Sequence, residues 1–297
     1  MNANSLPSLL GNPDHYVKAF KVFCSRSAKF SVYSDWVDKV FSKAVVSKLQ
    51  TSSDTQEELR VLGVGSGSGE MDCKMLEKLS KRFPRIDNRV VEPSQELVDK
   101  YQALVQSKAG DLQGVKCDWR HETIEQYEEA GNLTKFHVIS AVHSMYYVDN
   151  FDSTLMYLYN CLVPGGVLAT ILLSENSGLS RFRTRFPCLQ GRNHNTKTST
   201  DICGSLDQQS IPHARHLHHQ RVRVDITDCF DRASVEGGLL VDFITNVVDF
   251  RGAASDDLRR SVMEYLASSD CSERDNGAIL MNTDWDSVVV YKPAESN

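Results

Sequence analysis

The chain has 297 residues, of which 41% are hydrophobic and 24% charged, so collagen-like, low-complexity and wholly disordered proteins are excluded. It carries 33 basic and 39 acidic side chains, a formal net charge of -6, which does not favour nucleic acid as a partner. Its longest apolar run, residues 161–173, is too short to cross a membrane and is interrupted by Pro164-Gly165-Gly166. We therefore expect a protein that binds neither nucleic acid nor a membrane.

The N-terminus and the cysteines favour a cytoplasmic protein. Residues 1–10 have no basic residue ahead of an apolar core, so no signal peptide is predicted. The eight cysteines are scattered and form no C-x-x-C pair. In a long chain without an export signal, such cysteines are expected to be reduced thiols.

The first part of the chain predicts two amphipathic helices over residues 14–49, followed by alternating strands and helices. Strands are predicted over residues 59–64, 89–91, 115–117, 136–142 and 166–173. Helices are predicted over residues 71–83, 94–104 with Ser94 as the cap, from Thr123 onward, and 153–162. This alternation favours an α/β fold with a parallel, doubly wound sheet.

After residue 174 the pattern weakens. Residues 187–220 are rich in Asn, Thr, Ser, Gln and His without a clear period, so we predict a loop or insertion. Helices are predicted at 236–248 and 255–268, and a closing strand within 278–290.

A histidine-rich stretch, His213-x-x-His216-x-His218-His219, suggests a metal site at first sight. Structural zinc needs four well-spaced ligands, and no cysteine or carboxylate lies suitably near in sequence. We expect a polar, partly basic loop there and no metal.

The first strand ends in the glycine-rich turn Gly65-Ser66-Gly67-Ser68-Gly69. Glycines let the backbone turn tightly and approach a ligand, with backbone N–H groups and the next helix's N-terminus facing that ligand. Such a turn can also serve packing alone.

The second strand ends in Glu92, 27 residues after Gly65. A carboxylate at that strand end lies beside the glycine turn and can accept both hydroxyls of a ribose. The alternative is a solvated surface glutamate. The order of glycine turn, apolar strand and acid favours a cofactor that contains adenosine.

The loop spacing G-x-G-x-G, where dinucleotide sites favour G-x-G-x-x-G, argues against a nicotinamide-dependent oxidoreductase. Together with Pro164-Gly165-Gly166 before the fifth strand, it resembles the class I S-adenosylmethionine-dependent methyltransferases. The resemblance implies a Rossmann-like sheet with helices on both faces, a smaller substrate-binding cap, and S-adenosyl-L-methionine as cofactor. That family usually has an acid two residues before the first loop glycine, where this sequence has Gly63.

Further motifs are similar to those of the histamine N-methyltransferase family, over nearly the whole chain and most strongly over residues 15–175. They are Tyr16-Val17-x-x-Phe20-x-x-Phe23, Val90-Val91-Glu92-Pro93-Ser94, Trp119-x-x-Glu122-Thr123, Met145-Tyr146-Tyr147-Val148, Asp225-Ile226-x-Asp228-Cys229-Phe230 and Asp242-Phe243. The resemblance implies methylation of a small amine or imidazole by a monomer. It divides the chain into N-terminal helices that form part of the substrate pocket (1–50), a cofactor-binding core (51–175), and the rest of the sheet with substrate-side elements (176–297).

The resemblance implies seven cofactor-binding residues, which are Gly65, Gly67, Gly69, Glu92, Leu97, Ile124 and Val142. Gly65 and Glu92 match the family unchanged, and Val142 stands where the family has Ile. Leu97 replaces a Gln and Ile124 replaces a Ser, so each loses a polar contact. We expect cofactor binding that is weaker than in typical members of the family.

On the substrate side the resemblance implies Phe20, Lys29, His143, Tyr146, Tyr147, Phe243 and Thr283. Lys29 stands where the family has a Glu that holds the amine, and Phe30 where it has a His. His143 replaces a Gln, and Thr283 an Asn. If Lys29 points into the pocket, it repels an ammonium group, and an imidazole that bears a carboxylate fits better. If Lys29 points to solvent, little follows.

The aromatic residues Phe20, Tyr146, Tyr147 and Phe243 are expected to form the pocket wall, or alternatively hydrophobic core. Aromatic faces attract cations, by about 0.5–2 kcal/mol each. Adjacent Tyr146 and Tyr147 cannot both face the same way, so at least one is structural. His143 is the candidate catalytic residue, to orient the acceptor or take its proton; the alternative is a hydrogen-bonded structural histidine.

An N-methyltransferase is the leading hypothesis. The altered contacts at Lys29, Phe30, Leu97 and Ile124 keep two alternatives open. One is a binding protein that retains the methyltransferase fold without catalysis. The other is a methyltransferase whose acceptor is an acidic imidazole.

Overall fold

The computed structural model describes residues 6–27, 29–49, 58–189, 195–217 and 221–294, with only the backbone described for Lys29 and Phe30. The chain forms two compact units. The larger unit consists of Tyr33–Leu172, Ser199–Leu217 and Asp286–Asn297. The smaller consists of Met1–Val32, Leu173–Thr198 and His218–Trp285.

The helices and strands are numbered in chain order through both units. The α-helices are α1 (Pro13–Ser25), α2 (Lys29–Trp36), α3 (Glu70–Ser80), α4 (Gln95–Ser107), α5 (Ile124–Glu129), α6 (Phe151–Asn160), α7 (Gly178–Arg185), α8 (Ser199–Gln208), α9 (Val235–Thr245), α10 (Phe250–Ala253) and α11 (Asp256–Leu266). The strands are β1 (Leu59–Val64), β2 (Ile86–Val91), β3 (Val115–Arg120), β4 (Phe136–Val142), β5 (Leu162–Leu173), β6 (His213–Leu217), β7 (Arg223–Asp225), β8 (Ser272–Asp275), β9 (Ala278–Asn282) and β10 (Trp285–Tyr291). A π-helical segment, Val37–Val46, follows α2.

The larger unit is built on a seven-stranded sheet with the order β3-β2-β1-β4-β5-β10-β6 in the described residues. Strands β1 to β5 pair in parallel, and β6 runs antiparallel to β10. Strand β1 is almost wholly buried, as is typical of a strand covered on both faces. The order reverses between β1 and β4, so right-handed crossovers place α3 and α4 on one face and α5 and α6 on the other. The predicted parallel, doubly wound sheet is confirmed.

Local capping fixes where the helices of this unit begin. The Ser94 side chain accepts the N–H of Leu97 at the start of α4, as the sequence predicts. Thr123 and Gln126 form a reciprocal capping box at the start of α5. Strands β2 and β3 are longer than predicted, because polar residues such as Asp87 of β2 and Asp118 of β3 also take part in the pairing of the two strands.

The prediction of a loop over residues 187–220 is wrong for two parts of that stretch. Helix α8 forms there because Ile202 and Leu206, one turn apart, are both fully buried. Strand β6 forms because it pairs with the buried strand β10, an interaction distant in sequence. The predicted closing strand is also two strands, since β9 and β10 belong to different sheets.

The smaller unit combines helices with a three-stranded antiparallel sheet of order β7-β9-β8. Helix α1 packs against α9. Helices α9 and α11 confirm the two helices predicted in this region; α9 ends early because Asn246 adopts a left-handed conformation. The helices of the described residues are too short or too polar for a membrane span.

Candidate functional site

The candidate site lies at the carboxyl edge of the large sheet, where β1, β2 and β4 end. The Gly65 N–H donates to the Val91 carbonyl at 2.8 Å, and the His143 N–H donates to the Ile171 carbonyl at 2.9 Å. These bonds hold the residues that follow β1 and β4 at one edge. Because the strand order reverses between β1 and β4, this is the place where open α/β sheets bind ligands.

The glycine loop, Gly65–Gly69, needs its glycines for two different reasons. Gly65, Gly67 and Gly69 all have positive φ, at 61°, 58° and 83°. A Cβ at residue 69 would lie 2.0 Å from the Tyr101 ring, and one at residue 65 would lie 2.4 Å from Ser144 Cβ. A Cβ at residue 67 would meet nothing within 4 Å. The loop is therefore packed tightly at both ends and open at Gly67.

Glu92 lies beside this open part of the loop. Its Oε2 accepts the Gly67 N–H at 2.8 Å, and its Oε1 accepts the Ser94 N–H at 3.0 Å. Only 5% of the residue is exposed, so the interpretation as a solvated surface glutamate is wrong. Burial raises the pKa of Glu92, and the two backbone donors oppose that rise. Each carboxylate oxygen retains a further lone pair for a ligand hydroxyl.

The remaining predicted cofactor residues lie at the same edge. Leu97 is in the first turn of α4, Ile124 begins α5, and Val142 ends β4. Ile124 is buried, whereas Leu97 and Val142 are half-buried. All three side chains are apolar, so they can surround a ligand without hydrogen-bonding to it.

His143 follows β4 in a left-handed conformation, with φ of 53°, which is costly for a residue other than glycine. Its Nδ1 lies 3.1 Å from the Tyr146 hydroxyl, and its ring lies 6.0 Å from that of Tyr33. Tyr146 is buried and Tyr147 half-buried, with ring planes at 89° to each other. The two tyrosines thus face different surroundings.

Other predicted substrate residues belong to the smaller unit. Phe20 and Phe243 lie 5.6 Å apart in an aromatic cluster with Tyr16 and Phe23. The Thr283 hydroxyl is buried and donates to the Val222 carbonyl at 3.3 Å. The side chains of Lys29 and Phe30 lie outside the described part of the structure, so their predicted roles stay predictions.

Two of the four clustered histidines are described. His213 and His216 lie on β6, and burial lowers the pKa of His216. His218 and His219 lie outside the described residues. Among the residues that are described, no three potential metal ligands of the His, Cys, Asp and Glu types come together.

Asp72, on the first turn of α3, also lies buried near the site, with 5% of the residue exposed, and it is absent from the residues predicted from the sequence. Burial raises its pKa to about 6, against the opposing effect of hydroxyl groups from Ser66, Tyr101 and Ser140. The sequence does contain a pattern that indicates a buried carboxylate at this position. Asp72 lies three and four residues before Met75 and Leu76, so a carboxylate stands on the apolar stripe of the helix.

Comparison with known proteins gives one family model and several full-length relatives. The model, described as a methyltransferase domain, matches residues 30–210. Histamine N-methyltransferase A of Xenopus laevis is 32% identical over 302 residues, which cover 97% of this chain and 98% of that protein. Histamine N-methyltransferase of Cavia porcellus is 32% identical over 290 residues, which cover 94% and 96%.

Solved structures resemble the chain as well. The YcgJ protein of Bacillus subtilis matches with a TM-score of 0.51 and 15% identity, covering 82% of this chain and 96% of that one. A putative methyltransferase of Bacillus halodurans matches with a TM-score of 0.51 and 14% identity, covering 84% and 98%. At these identities the likeness shows the fold, which is the class I methyltransferase fold predicted from the sequence.

Proposed function

Because the chain belongs to the histamine N-methyltransferase family of S-adenosylmethionine-dependent enzymes, we propose that it methylates a nitrogen atom of a small imidazole or amine. The observation that carries this proposal is the pair formed by the buried Glu92 carboxylate and the Gly67 N–H. This pair lies at the edge where a cofactor with a ribose is expected.

The residues present fit S-adenosylmethionine. The space beside Gly67 is open, as close approach of a ligand to the loop requires. Glu92 would accept the two ribose hydroxyls, one on each oxygen, while it keeps its bonds to Gly67 and Ser94. Leu97 and Ile124 would supply apolar contacts. The cofactor supplies a methyl group on a sulfonium centre, which is activated for transfer before any residue acts.

The protein's part in the transfer is to align the acceptor and exclude water, and such positioning can lower a barrier by roughly 7–11 kcal/mol. A neutral imidazole nitrogen has a free lone pair, so no base is needed before attack. In the proposal His143 orients the acceptor or takes its proton after transfer, and the Tyr146 hydroxyl at 3.1 Å holds the His143 ring. Tyr147, Phe20, Phe243 and Thr283 are proposed to contact the acceptor.

The test is transfer of a labelled methyl group from S-adenosylmethionine to histamine, histidine and imidazole dipeptides in parallel. Transfer to histamine supports the acceptor preference that the relatives' names state. Transfer only to the acidic imidazoles supports a specificity set by Lys29. The variant Lys29→Glu should then shift the preference toward histamine, because a carboxylate attracts the ammonium group.

A failure of transfer is resolved by measuring cofactor binding separately. If the protein binds S-adenosylmethionine but methylates none of these acceptors, the result contradicts the proposed activity and supports a binding protein with this fold. If it binds no cofactor, both the activity and the assigned role of Glu92 are wrong.

We also propose that the protein works in the cytoplasm as a monomer. Cys73, Cys161, Cys229 and Cys271 are buried thiols, which suits a reducing compartment. The large exposed apolar side chains among the described residues are Leu133, Leu217 and Val235, which lie on separate segments. Scattered residues of this kind are not typical of a large subunit interface. Light scattering of the purified protein measures the mass in solution.

A further inference from the structure

A buried carboxylate lies directly beneath the glycine loop and is not used by the proposed mechanism. A Cβ built at Gly63 would lie 2.4 Å from Asp72 Oδ2 and 2.4 Å from Ser66 Oγ. Helix α3 thus brings a carboxylate to the place that a side chain at residue 63 would take. The hydroxyl of Ser66, a residue of the glycine loop, lies beside the same position.

Three polar atoms at or around Asp72 have no hydrogen-bond partner among the described residues. They are Asp72 Oδ2, Ser66 Oγ and the Tyr101 hydroxyl, and all three are buried. Asp72 Oδ1 is better placed, because the Ser140 hydroxyl donates to it at 3.5 Å. Buried polar atoms left without partners are costly, so a small movement of the loop that brings the Ser66 hydroxyl onto Asp72 is favourable.

Tyr101 joins the same group to the far end of the loop. Its ring occupies the space beside Gly69, where a Cβ would lie 2.0 Å from ring carbon Cδ2. Its hydroxyl faces Asp72 and opposes the rise in the pKa of that carboxyl. Asp72 therefore faces the loop at Ser66 directly and at Gly69 through Tyr101.

We propose that Asp72 is a positioning residue for the cofactor, because its carboxylate holds the glycine loop in the conformation to which S-adenosylmethionine binds. The carboxylate takes the place of a strand-end side chain at residue 63. Ser66 and Tyr101 transmit its effect to the two ends of the loop. This inference rests on the proposed function, since it assigns a role within the same cofactor site.

The first test compares Asp72→Asn with the wild type by calorimetry of S-adenosylmethionine binding, with no acceptor present. Asp72→Asn should weaken binding about tenfold, the size expected when a hydrogen bond to a charged group is lost. Its thermal stability near neutral pH should rise, because burial of the charge is removed. If Asp72 had only a structural role, Asp72→Asn would lower the thermal stability and the cofactor affinity together. Asp99→Asn, the same substitution at an exposed position of α4, is the matched control and should change neither.

The second test moves the carboxylate from the helix to the strand. Gly63→Asp alone should harm stability and binding, because its Cβ collides with Asp72. Asp72→Ala alone should weaken cofactor binding at least as much as Asp72→Asn. The double variant Asp72→Ala with Gly63→Asp should bind the cofactor more tightly than Asp72→Ala, since the carboxylate then comes from residue 63 and the Ser66 hydroxyl can rotate away from the new Cβ. The same substitution thus has opposite effects in the two backgrounds.

The outcomes separate the two proposals. If the wild type binds no S-adenosylmethionine, the proposed function fails. If the wild type binds it, and Asp72→Asn binds equally well, the role of Asp72 is wrong and the proposed function stands. Loss of both affinity and stability in Asp72→Asn, without recovery in the double variant, also overturns the positioning role.

Discussion

The glycine loop has a buried carboxylate on each of its two sides, and the two differ in how they are satisfied. On the Glu92 side, two backbone N–H groups donate to the carboxylate at 2.8 and 3.0 Å. On the Asp72 side, the groups that face the carboxylate are hydroxyls, and Oδ2 has no hydrogen bond among the described residues. Each residue is 5% exposed, so burial alone does not distinguish them.

The different hydrogen-bond partners of Glu92 and Asp72 suit two different roles at the glycine loop. Backbone donors fix Glu92 rigidly and leave lone pairs for a ligand, which suits direct contact with the cofactor. Hydroxyl groups can rotate, so the Asp72 side can adjust as the loop closes. Substitutions on the Glu92 side are therefore expected to act mainly on binding. Substitutions on the Asp72 side should change both stability and cofactor binding. For Asp72→Asn the two changes should be opposite, with higher stability and weaker binding.

The largest effect is expected from the loop glycines, one on each side. Gly69→Ala should lower the unfolding free energy by roughly 3 kcal/mol, because left-handed strain and the collision with Tyr101 each cost about 1–3 kcal/mol. Gly67→Ala should cost only about 1 kcal/mol of strain, yet its Cβ enters the open space and should weaken cofactor binding. Denaturant unfolding and calorimetry measure the two effects. Equal losses of stability in Gly69→Ala and Gly67→Ala would contradict the proposed difference between the Asp72 side and the Glu92 side of the loop.

The next largest effect tests Glu92 itself. Glu92→Ala should weaken cofactor binding by about 1.5–3 kcal/mol, the size of a lost charged hydrogen bond. Glu92→Gln should have a smaller effect, because its amide oxygen can still accept one bond. Calorimetry measures both, with Glu96→Gln on the exposed face of α4 as the control. Unchanged affinity in Glu92→Ala would show that this carboxylate does not contact the cofactor.

Local sequence patterns were enough to predict the Glu92 side. Glycines after an apolar strand, and an acid at the end of the next strand, lie close in sequence to the partners that they use. The Ser94 N–H that binds Glu92 is two residues away, and the same Ser94 caps α4. Interactions between residues that are close in the chain can be predicted from a single sequence.

The Asp72 side and the region after residue 186 depend on contacts between distant elements. Asp72 is surrounded by Ser66 of the loop, Tyr101 of α4 and Ser140 of β4, and no local pattern brings these together. Strand β6 likewise exists because it pairs with β10, more than sixty residues later in the chain. Its own residues have no strand-like alternation, so the sequence alone predicts a loop there.

A smaller effect is expected in the pH dependence of stability. The pKa of Asp72 is about 6 in the folded protein, against an ordinary value of 3.8. The folded state therefore holds a proton that the unfolded state has released, and the contribution of Asp72 to stability falls as the pH rises from about 4 to about 6. Burial also raises the pKa of Glu92, so Glu92 changes stability with pH in the same direction. The pKa values of Tyr101 and Cys73 lie far above this range, so neither group titrates here.

Asp72→Asn should flatten this part of the curve and melt a few degrees higher than the wild type at pH 7. Near pH 3 the two proteins should be similar, because Asp72 is then largely protonated in both states. Melting temperatures of the wild type, Asp72→Asn and the control Asp99→Asn from pH 3 to pH 7 measure the effect. A curve for Asp72→Asn that runs parallel to the wild type would mean that Asp72 does not titrate in this range.

The smallest effect concerns His143, directly after β4. If His143 orients the acceptor, His143→Gln should lower kcat by about tenfold, less than the roughly 10²–10⁴-fold typical of acid–base catalysis, since a neutral imidazole needs no base before attack. Cofactor affinity should stay unchanged. His143→Gly removes the left-handed strain as well, so it should raise stability while lowering kcat. A loss of cofactor affinity in His143→Gln would instead place this residue in the cofactor site and leave the acceptor without an assigned partner on β4.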